Sequence, residues 1–255
     1  MAGVAPVTGE ALRSLRQRLE WQYPFEAATV EKAKASVTEL RRRVAEDADD
    51  EALPLFQFRV PSSGFRVGER PGETKGQLSA AEVGTAHHLF LQWVDLTRTG
   101  NVEELRTEAA RLCEAGVLSS EEAGSLELRS LAAFWTSELG RRICAQAGSV
   151  RRELPFTARL TPADWEAAGL PMNRGLAGDD FLVVQGVIDL AVLAPQALWL
   201  VDFKTDEVTE RDLPGKVSAY GPQLKLYALA LERIYGRNVS ERWLHFLKLG
   251  RTVAV

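Results

Sequence analysis

Two long apolar segments stand out in the middle of the chain, where hydrophobic residues run almost without interruption. They cover residues 181–193 and 197–205, and the Ala-Pro-Gln sequence at 194–196 predicts a tight turn between them. Such runs are typical of strands that are buried on both faces of a sheet. Each run nevertheless carries one carboxylate, Asp189 in the first and Asp202 in the second. If the two strands pair across the turn, these carboxylates lie near each other.

Elsewhere the spacing of apolar residues is mostly helical. The capping box of Ser79 and Glu82 predicts a helix that runs to about Leu96. Gly84 within this helix indicates a closely packed neighbour, because glycine costs about 1 kcal/mol at a helical position. Residues 101–147 predict two helices, which we interpret as an insert. Further helices are predicted at 8–22, from Ser36 and at 222–235, strands at 153–160, 243–249 and 252–255, a short helix or turn after Thr161, and loops at 46–76, 169–180 and 207–221.

The composition is that of a globular protein. Hydrophobic residues make up 45% of the 255 residues, and the mean hydropathy is −0.14. No apolar run approaches the ~20 residues of a membrane helix, and the first ten residues lack the basic and apolar regions of a signal peptide. The only two cysteines, Cys113 and Cys144, are too few for a four-thiolate zinc or iron–sulfur site. These features predict a protein of the reducing cytoplasm without membrane contact.

Charge and motif content limit the possible partners. The formal net charge of −4 argues mildly against a dedicated nucleic-acid binder, because such proteins are usually basic. The chain contains no Gly-x-x-x-x-Gly-Lys-Ser/Thr phosphate loop, so we expect no ATP site in it. The basic triplet at 41–43 is most simply the solvated face of a helix.

The carboxylates of the two apolar runs are the main candidates for chemistry. Side chains in a strand repeat every two residues, so Lys204 points to the same face as Asp202. Two carboxylates at ~4 Å repel by about 4 kcal/mol at an effective dielectric of ~20, and a divalent cation would remove that repulsion. One hypothesis is therefore a magnesium site with a lysine beside it. The alternative, which the stretch alone supports equally well, is an Asp–Lys ion pair at a strand end and a turn-forming Asp189.

A second group of polar residues lies on the helix predicted after Ser79. Thr85, His88 and Gln92 follow the spacing i, i+3 and i+7, so they share one face of the helix, whereas His87 points elsewhere. A single histidine on a helix is more often structural than catalytic, and this stretch alone does not decide between the two.

Four short motifs follow one another along the chain and carry a resemblance to a known family: Gly84-x-x-x-His88, Gly186-x-x-Asp189, Asp202-x-Lys204 and Gln223-x-x-x-Tyr227. They resemble the signature of RecB-type nucleases of the PD-(D/E)XK superfamily, and the closest likeness is to the C-terminal nuclease domain of the AddA helicase–nucleases. Supporting stretches are found at 18–25, at 36–40 and at Gly84-Thr85, and the resemblance covers nearly the whole chain. One departure is Val83, where this group often has a basic residue.

The resemblance implies roles for these residues. Asp189 and Asp202 would bind Mg²⁺ or Mn²⁺, with His88 as a further ligand or as a residue that orients one. The backbone carbonyl of Phe203 would also coordinate the metal, and Glu153 matches an acidic residue near the site of relatives. Lys204 would orient or help to deprotonate the attacking water and stabilise charge on the phosphorane. Gln223 and Tyr227 would support the site or touch the DNA backbone, with helix–sheet packing as the alternative for Tyr227, and Thr85 and Gln92 would complete this group.

The resemblance also implies a fold and a function. The expected fold is α/β and restriction-endonuclease-like, with a mixed sheet flanked by helices, a helical extension and loop at 1–78 and the nuclease domain at 79–255. The expected activity is metal-dependent hydrolysis of DNA, more exonuclease than endonuclease, in a helicase–nuclease of double-strand-break repair and recombination. Expected partners are single-stranded DNA ends and a helicase domain or AddB-like subunit. The alternatives are a catalytically silent nuclease fold that binds or docks DNA, and a stand-alone exonuclease of the superfamily without an iron–sulfur cluster.

Overall fold

A computed structural model of the chain describes residues 9, 13 and 16 and the ranges 34–37, 78–170 and 181–255. The loop predicted at 46–76 lies outside the described residues. The same is true of most of the helices predicted at 8–22 and from Ser36, and of most of the loop predicted at 169–180.

A mixed sheet of six strands forms the centre of the described chain. Strand β2 pairs antiparallel with nearly the full length of β3, and the other edge of β3 is shared by β4, antiparallel, and β1, parallel. Beyond β4 follow β5, parallel, and β6, antiparallel. The strands are β1 (Lys34–Ser36), β2 (Val150–Leu160), β3 (Leu182–Ala194), β4 (Ala197–Lys204), β5 (Val239–Phe246) and β6 (Arg251–Ala254). The α/β class, the mixed sheet and the hairpin with its turn at 194–196 are thus confirmed.

Seven α-helices lie in the described ranges, and their predicted caps are present. Ser79 accepts a hydrogen bond from the Glu82 amide while the Glu82 carboxylate accepts one from the Ser79 amide. Thr161 and Asp164 form the same arrangement, and Gly236 ends the last helix in the left-handed conformation. The helices are α1 (Ala80–Trp93), α2 (Val102–Glu114), α3 (Ser120–Gly124), α4 (Leu128–Thr136), α5 (Glu138–Ala145), α6 (Pro162–Ala168) and α7 (Leu213–Tyr235).

The helical insert contains four short helices where the spacing predicts two. The apolar stripe predicted as a single helix is interrupted at Ser137, whose extended backbone ends α4 and caps α5. At this turn the chain approaches itself so closely that a Cβ on Gly140 would lie 2.2 Å from the Phe134 carbonyl oxygen. Both helices bury their apolar residues in the same core. The helical spacing of apolar residues therefore continues from α4 into α5, and it does not indicate that the helix ends at Ser137.

Helix α7 begins at Leu213, nine residues earlier than expected, so the loop predicted at 207–221 is wrong for its second half. The prediction rested on the polar, loop-like character of residues 207–221. Proline inside a helix removes a hydrogen bond and clashes with the preceding turn. Pro222 nevertheless lies within α7. A stripe of buried or half-buried apolar residues with helical spacing runs through the whole helix and packs against the sheet, at Leu213, Val217, Tyr220, Leu224, Tyr227 and Leu231.

Strand β1 lies in a segment for which a helix start was predicted. Ser36 is the last residue of the strand, and helix begins at Val37, so the helix start predicted at Ser36 is confirmed, because a capping residue is itself extended. A three-residue strand is too short to show an alternating pattern. Because this strand from the predicted extension pairs with β3, the extension contributes to the sheet. The division into 1–78 and 79–255 stays a prediction.

The sheet carries a hydrophobic core on each face. Helices α6 and α7 cover one face, where Tyr227 and Leu231 pack, and the α1 and insert helices cover the other, where Phe90 and Trp135 pack. We call these the α7 face and the α1 face. No helix within the described ranges is long and apolar enough to span a bilayer.

Candidate active site

The β3–β4 hairpin brings the two carboxylates of the apolar runs to neighbouring strands. The ladder pairs Ala194 with Ala197 next to the turn and continues to Leu190 opposite Val201. Asp189 and Asp202 are each one residue beyond this last pair. The Asp189 carboxylate accepts a hydrogen bond of 2.7 Å from the Phe203 backbone amide, so it lies against the β4 backbone.

Glu153 lies across from Asp189 on the other neighbouring strand. In the β2–β3 ladder Arg152 pairs with Leu190 and Leu154 with Ile188, which leaves Glu153 opposite Asp189. Among the described residues other than glycine, Glu153 alone has a positive φ, of 47°. Such a conformation costs about 1–3 kcal/mol and is found most often at functional sites, where the surrounding structure maintains it.

The regular alternation of β3 is interrupted at Asp189. Side chains two residues apart in a strand normally point to the same face. Ile188, however, packs in the core of the α7 face, whereas Leu190 packs in the core of the α1 face. Asp189 therefore lies at the point where the strand changes face. This irregularity, together with the conformation of Glu153, brings side chains of both faces to one position.

Helix α1 is fixed against this position at both ends. A Cβ on Gly84 would lie 3.0 Å from the Thr205 hydroxyl, which confirms the close neighbour expected at this glycine. At the other end, the Arg152 guanidinium donates hydrogen bonds to the carbonyls of Leu91 and Val94. Val94 lies just beyond the end of the helix, where the helix dipole favours a cation. His88, between these two contacts, faces β2 and β3.

His88 and its neighbour His87 have different surroundings. The His88 Nδ1 atom lies 3.4 Å from a Glu153 carboxylate oxygen and 3.8 Å from one of Asp189. His87 is buried: its Nδ1 donates to the Val83 carbonyl and its Nε2 accepts from the Glu127 amide. Because desolvation lowers the pKa of His87 below its ordinary value, its ring is neutral in this setting. The predicted rotation of the helix, with His88 toward the carboxylates, is confirmed.

Three side chains from three elements form a group that could hold a metal ion. One ligand atom each of His88, Glu153 and Asp189 lies within 4.8 Å of the others, and no other such group occurs in the part of the chain that the structure describes. Their side chains are 28%, 26% and 13% exposed, so a small ion can reach them from solvent. Two carboxylates and one imidazole match Mn²⁺ well and Mg²⁺ through the oxygens.

The electrostatics of Asp189 favour a cation here. Burial raises the pKa of its carboxyl well above the ordinary value, and the Asp202 and Glu153 carboxylates raise the pKa further, while His88 and Lys204 oppose the rise. Ionised Asp189 is therefore unfavourable in the protein alone. A divalent cation between the carboxylates would make the ionised form favourable.

Asp202 and Lys204 form a buried ion pair next to this group. Both side chains are nearly inaccessible, and the Lys204 ammonium lies 3.1 Å from a carboxylate oxygen of Asp202. The ammonium also lies 4.4 Å from the ring centroid of Tyr220, a cation–π contact. Tyr220 in turn donates a short hydrogen bond to Asp206, so the ring has a fixed position. The Asp–Lys pair that the sequence left as an alternative exists, and both charges act on Asp189: the Asp202 carboxylate raises its pKa and the Lys204 ammonium lowers it.

Gln223 and Tyr227 support Asp202 from α7. The Gln223 amide donates to Asp202 at 3.2 Å and to the Tyr227 hydroxyl at 2.8 Å. Their side chains belong to residues only 7% and 4% exposed, and burial raises the pKa of Tyr227 above its ordinary value, so its phenol stays neutral. This burial favours the predicted supporting role over contact with the DNA backbone.

The remaining predicted residues lie at the edge of the site. Thr85 and Gln92 are half-buried, and the Thr85 hydroxyl donates to the Ala81 carbonyl within its own helix. In a β-strand the amide and carbonyl of one residue point to the same side. The Phe203 carbonyl therefore faces the β3 side, where Asp189 accepts the Phe203 amide. The roles of these three residues stay predictions.

Sequence reasoning misses Tyr220, which holds the Lys204 ammonium. Tyr220, Gln223 and Tyr227 follow the spacing i, i+3 and i+7, which is one face of a helix. This signal is present in the sequence. It is concealed because Gly221 and Pro222 favour a loop over the residues that precede them.

Comparisons with known proteins agree with this geometry. The family model of the PD-(D/E)XK nuclease superfamily matches residues 56–252. The chain is 34% identical over 98% of its length to the AddA component of the ATP-dependent helicase/nuclease of Bacillus cytotoxicus, 35% over 98% to that of Geobacillus kaustophilus and 35% over 93% to that of Moorella thermoacetica. It spans only 20%, 20% and 16% of the length of these relatives. These similarities support a nuclease. The match over most of the chain, on a sheet whose central strands present Asp189, Asp202 and Lys204, shows that the chain belongs to the PD-(D/E)XK nuclease superfamily.

Proposed function

We propose that this chain hydrolyses phosphodiester bonds of DNA with a divalent metal ion, as the nuclease part of a helicase–nuclease. The observation that carries the proposal is the convergence of His88, Glu153 and Asp189, one from each of three elements, next to the Asp202–Lys204 pair. Like charges that lie opposite each other on adjacent strands destabilise a sheet, so packing alone does not explain why Glu153 lies opposite Asp189.

The donor set fits a hard or borderline divalent cation. Asp189, Glu153 and His88 would hold Mg²⁺ or Mn²⁺, with Asp202 and the Phe203 carbonyl as the further ligands that the family resemblance implies. When bound, such an ion polarises a phosphoryl oxygen and makes hydroxide accessible near neutral pH. The raised pKa of Asp189 supports this assignment, because burial and the Asp202 and Glu153 carboxylates disfavour its ionised form, and a divalent cation would favour that form.

Lys204 is the residue best placed to act on the attacking water or on the developing phosphorane charge. Its ammonium is held by Asp202 and by the face of the Tyr220 ring, so its position is fixed without contact to bulk solvent. A fixed cation stabilises negative charge without the need to reorganise during the reaction. Gln223 and Tyr227 would keep Asp202 in place through their hydrogen bonds.

The substrate is proposed to be single-stranded DNA delivered by another part of a longer enzyme. The relatives carry the name helicase/nuclease, and the chain spans at most a fifth of their length. The sequence has no phosphate loop and a net charge of −4, so it should hydrolyse no ATP and should bind DNA weakly on its own. The proposed partners, in repair of double-strand breaks, are a helicase domain and an AddB-like protein.

Cleavage of matched labelled substrates tests the proposal. We expect slow, metal-dependent cutting of single-stranded DNA by the isolated chain, loss of cutting in EDTA, and almost no cutting of blunt duplex. Asp189→Asn should abolish cutting, whereas Glu103→Gln, which changes an exposed carboxylate paired with Arg106 on α2, should not alter it. Fast digestion of blunt duplex at physiological salt would instead indicate a self-sufficient exonuclease. Metal-independent cutting, or DNA binding without any cutting, would contradict the proposed chemistry.

A further inference from the structure

An exposed aromatic residue lies on the α1 face of the sheet, beyond the proposed site. Phe181, immediately before β3, has 48% of its surface exposed, which is unusual for so large an apolar side chain. The Arg159 guanidinium, from the neighbouring strand β2, lies 4.0 Å from the centroid of its ring. Arg159 is itself exposed. The pair forms a flat surface made of an aromatic ring and a planar cation, which we call the Phe181–Arg159 platform.

The platform and the proposed metal group are joined by one continuous strip of the sheet. Between them, Gln185 of β3 donates a hydrogen bond of 2.9 Å to the Thr157 hydroxyl of β2. Phe181, Gln185 and Asp189 are separated by even numbers of residues, as are Arg159, Thr157 and Glu153. At about 3.3 Å per residue, the platform lies about 20 Å from Glu153 along β2.

The opposite face of these strands is filled by the core. Phe156, Ala158 and Leu160 of β2, and Leu182 and Val184 of β3, are buried on the α7 face. Their odd-numbered neighbours Thr157 and Arg159 remain exposed, and Gln185 is half-buried. The strip that leads from the site is therefore accessible and partly polar, with a single aromatic ring at its far end; the apolar Pro155, Val183 and Val187 lie on it as well.

This chemistry matches one ligand in particular. Bases stack on aromatic rings and on guanidinium planes, and the arginine also attracts the phosphate backbone. A duplex keeps its bases stacked inside the helix, so only a single strand can offer a base to the platform. Stacking is tolerant of sequence because every base has a flat face.

We propose that the Phe181–Arg159 platform binds a base of the single-stranded DNA whose backbone is held at the His88–Glu153–Asp189 group. The inference rests on the proposed nuclease function, because it concerns the strand that the site would cut. The platform contributes affinity for strands long enough to span the distance of about 20 Å.

Binding of fluorescent oligo(dT) with a cleavage-resistant phosphorothioate backbone, measured in Mg²⁺, tests the inference independently of cleavage. Phe181→Leu keeps an apolar side chain but removes the ring, and it should weaken binding of a 15-mer roughly 5- to 100-fold, the range for loss of one stacked base. Phe181→Trp keeps an aromatic ring, so this variant should bind the 15-mer with an affinity within a few-fold of the wild type. For a trinucleotide, which is too short to reach the platform, Phe181→Leu and wild type should bind alike.

Matched controls separate the platform from general effects. Trp93, 43% exposed at the end of α1, offers another exposed aromatic, so Trp93→Leu should leave the affinity for the 15-mer unchanged. Arg159→Ala should weaken binding of the 15-mer more than Arg106→Ala, which changes an exposed arginine on α2. Thermal unfolding of each variant shows whether its fold is intact.

Equal binding of the 15-mer by wild type and Phe181→Leu would overturn the platform while leaving the proposed nuclease function in place. The same conclusion would follow if Phe181→Leu weakened duplex or trinucleotide binding as much as 15-mer binding. A wild-type chain that cuts no DNA but shows the expected binding pattern would instead overturn the proposed nuclease function and keep the platform as a site for single strands.

Discussion

Two polar clusters lie side by side at the centre of the sheet, and they differ in how they meet solvent. The first, His88, Glu153 and Asp189, is partly exposed, and burial, together with the nearby Asp202 and Glu153 carboxylates, raises the pKa of Asp189. The second, formed by Asp202, Lys204, Gln223 and Tyr227, is almost completely buried and internally hydrogen-bonded.

The difference indicates a division of labour. The hydrogen bonds and the ion pair of the buried cluster fix the positions of its side chains, among them Asp202, a further metal ligand in the proposal. In the exposed group the two carboxylates repel each other, and a divalent cation would relieve that repulsion. We therefore expect changes in the exposed cluster to act on metal binding, and changes in the buried cluster to act on both stability and rate.

The largest effect is expected for Asp189→Asn. Loss of this charge should remove metal binding, and with it several kcal/mol of transition-state stabilisation, so cleavage should fall by at least roughly 10³-fold. Stability in EDTA should stay equal or rise. The reason is that the raised pKa of Asp189 means that its ionised form is disfavoured in the folded state, and asparagine carries no charge. Calorimetry with Mn²⁺ and thermal unfolding check both parts; metal binding equal to that of the wild type would exclude Asp189 as a ligand.

Lys204→Met should lower cleavage roughly 10²- to 10⁴-fold, the range for a positioned proton-transfer group, while metal binding persists. It should also destabilise the fold by about 3–5 kcal/mol, because Asp202 would be left buried without its partner.

A double variant separates these two consequences of removing Lys204. Lys204→Met with Asp202→Asn removes both charges, so stability measured by urea unfolding should return toward wild type while cleavage stays lost. Activity of Lys204→Met within a few-fold of wild type would remove the lysine from the mechanism.

The adjacent histidines provide a comparison within one helix. His88→Ala should reduce metal affinity and cleavage by roughly 10- to 100-fold. His87→Ala should instead destabilise the fold by about 1–3 kcal/mol, because it leaves the Glu127 amide without its acceptor, and should not change metal affinity. Titration with Mn²⁺ and urea unfolding of both variants decide the matter, and the reverse pattern would show that His87 acts at the site.

A smaller effect is expected where Tyr220 meets Lys204. Tyr220→Leu removes the ring beneath the ammonium and should lower the cleavage rate about tenfold, in line with about 1–2 kcal/mol for a desolvated cation–π contact. Tyr220→Phe keeps the ring and should retain most of the rate. If both variants reduced the rate equally under single-turnover conditions, the hydrogen bond to Asp206 would matter instead of the ring.

An effect on stability alone is expected for a buried histidine outside both clusters. Burial lowers the pKa of His245 to about 4, compared with about 6.5 in an unfolded chain. The unfolded state therefore binds more protons between these two values, and stability falls as the pH drops from about 6.5 to about 4. At pH 5 the loss should be about 2 kcal/mol relative to neutral pH. In His245→Leu this part of the acid sensitivity should disappear, and urea unfolding at pH 7 and pH 5 measures it. An unchanged pH dependence in the variant would contradict this pKa.

Local signals predicted much of the fold. The apolar runs and the turn at 194–196 predicted the β3–β4 hairpin, and the capping box of Ser79 and Glu82 predicted the start of α1. The short helix or turn predicted after Thr161 is α6. The errors occurred where packing overrides a local preference. Pro222 continues inside α7 because its apolar stripe is buried on the sheet, and α4 and α5 separate at Ser137 while they share one core.

The sequence by itself determined which side chains could take part in chemistry and some of their relative directions. The two-residue repeat of a strand places Asp202 and Lys204 on one face, and the helical repeat directs His88 and His87 apart. Only the tertiary structure decided how these groups combine. It places Glu153 and His88 with Asp189, and it ties Asp202 to Lys204 and Gln223, and Lys204 to Tyr220. The reason is that strand register, the positive φ of Glu153 and the docking of α1 at Gly84 depend on contacts between residues far apart in the chain. Such contacts are set by packing of the whole molecule, which no local pattern encodes.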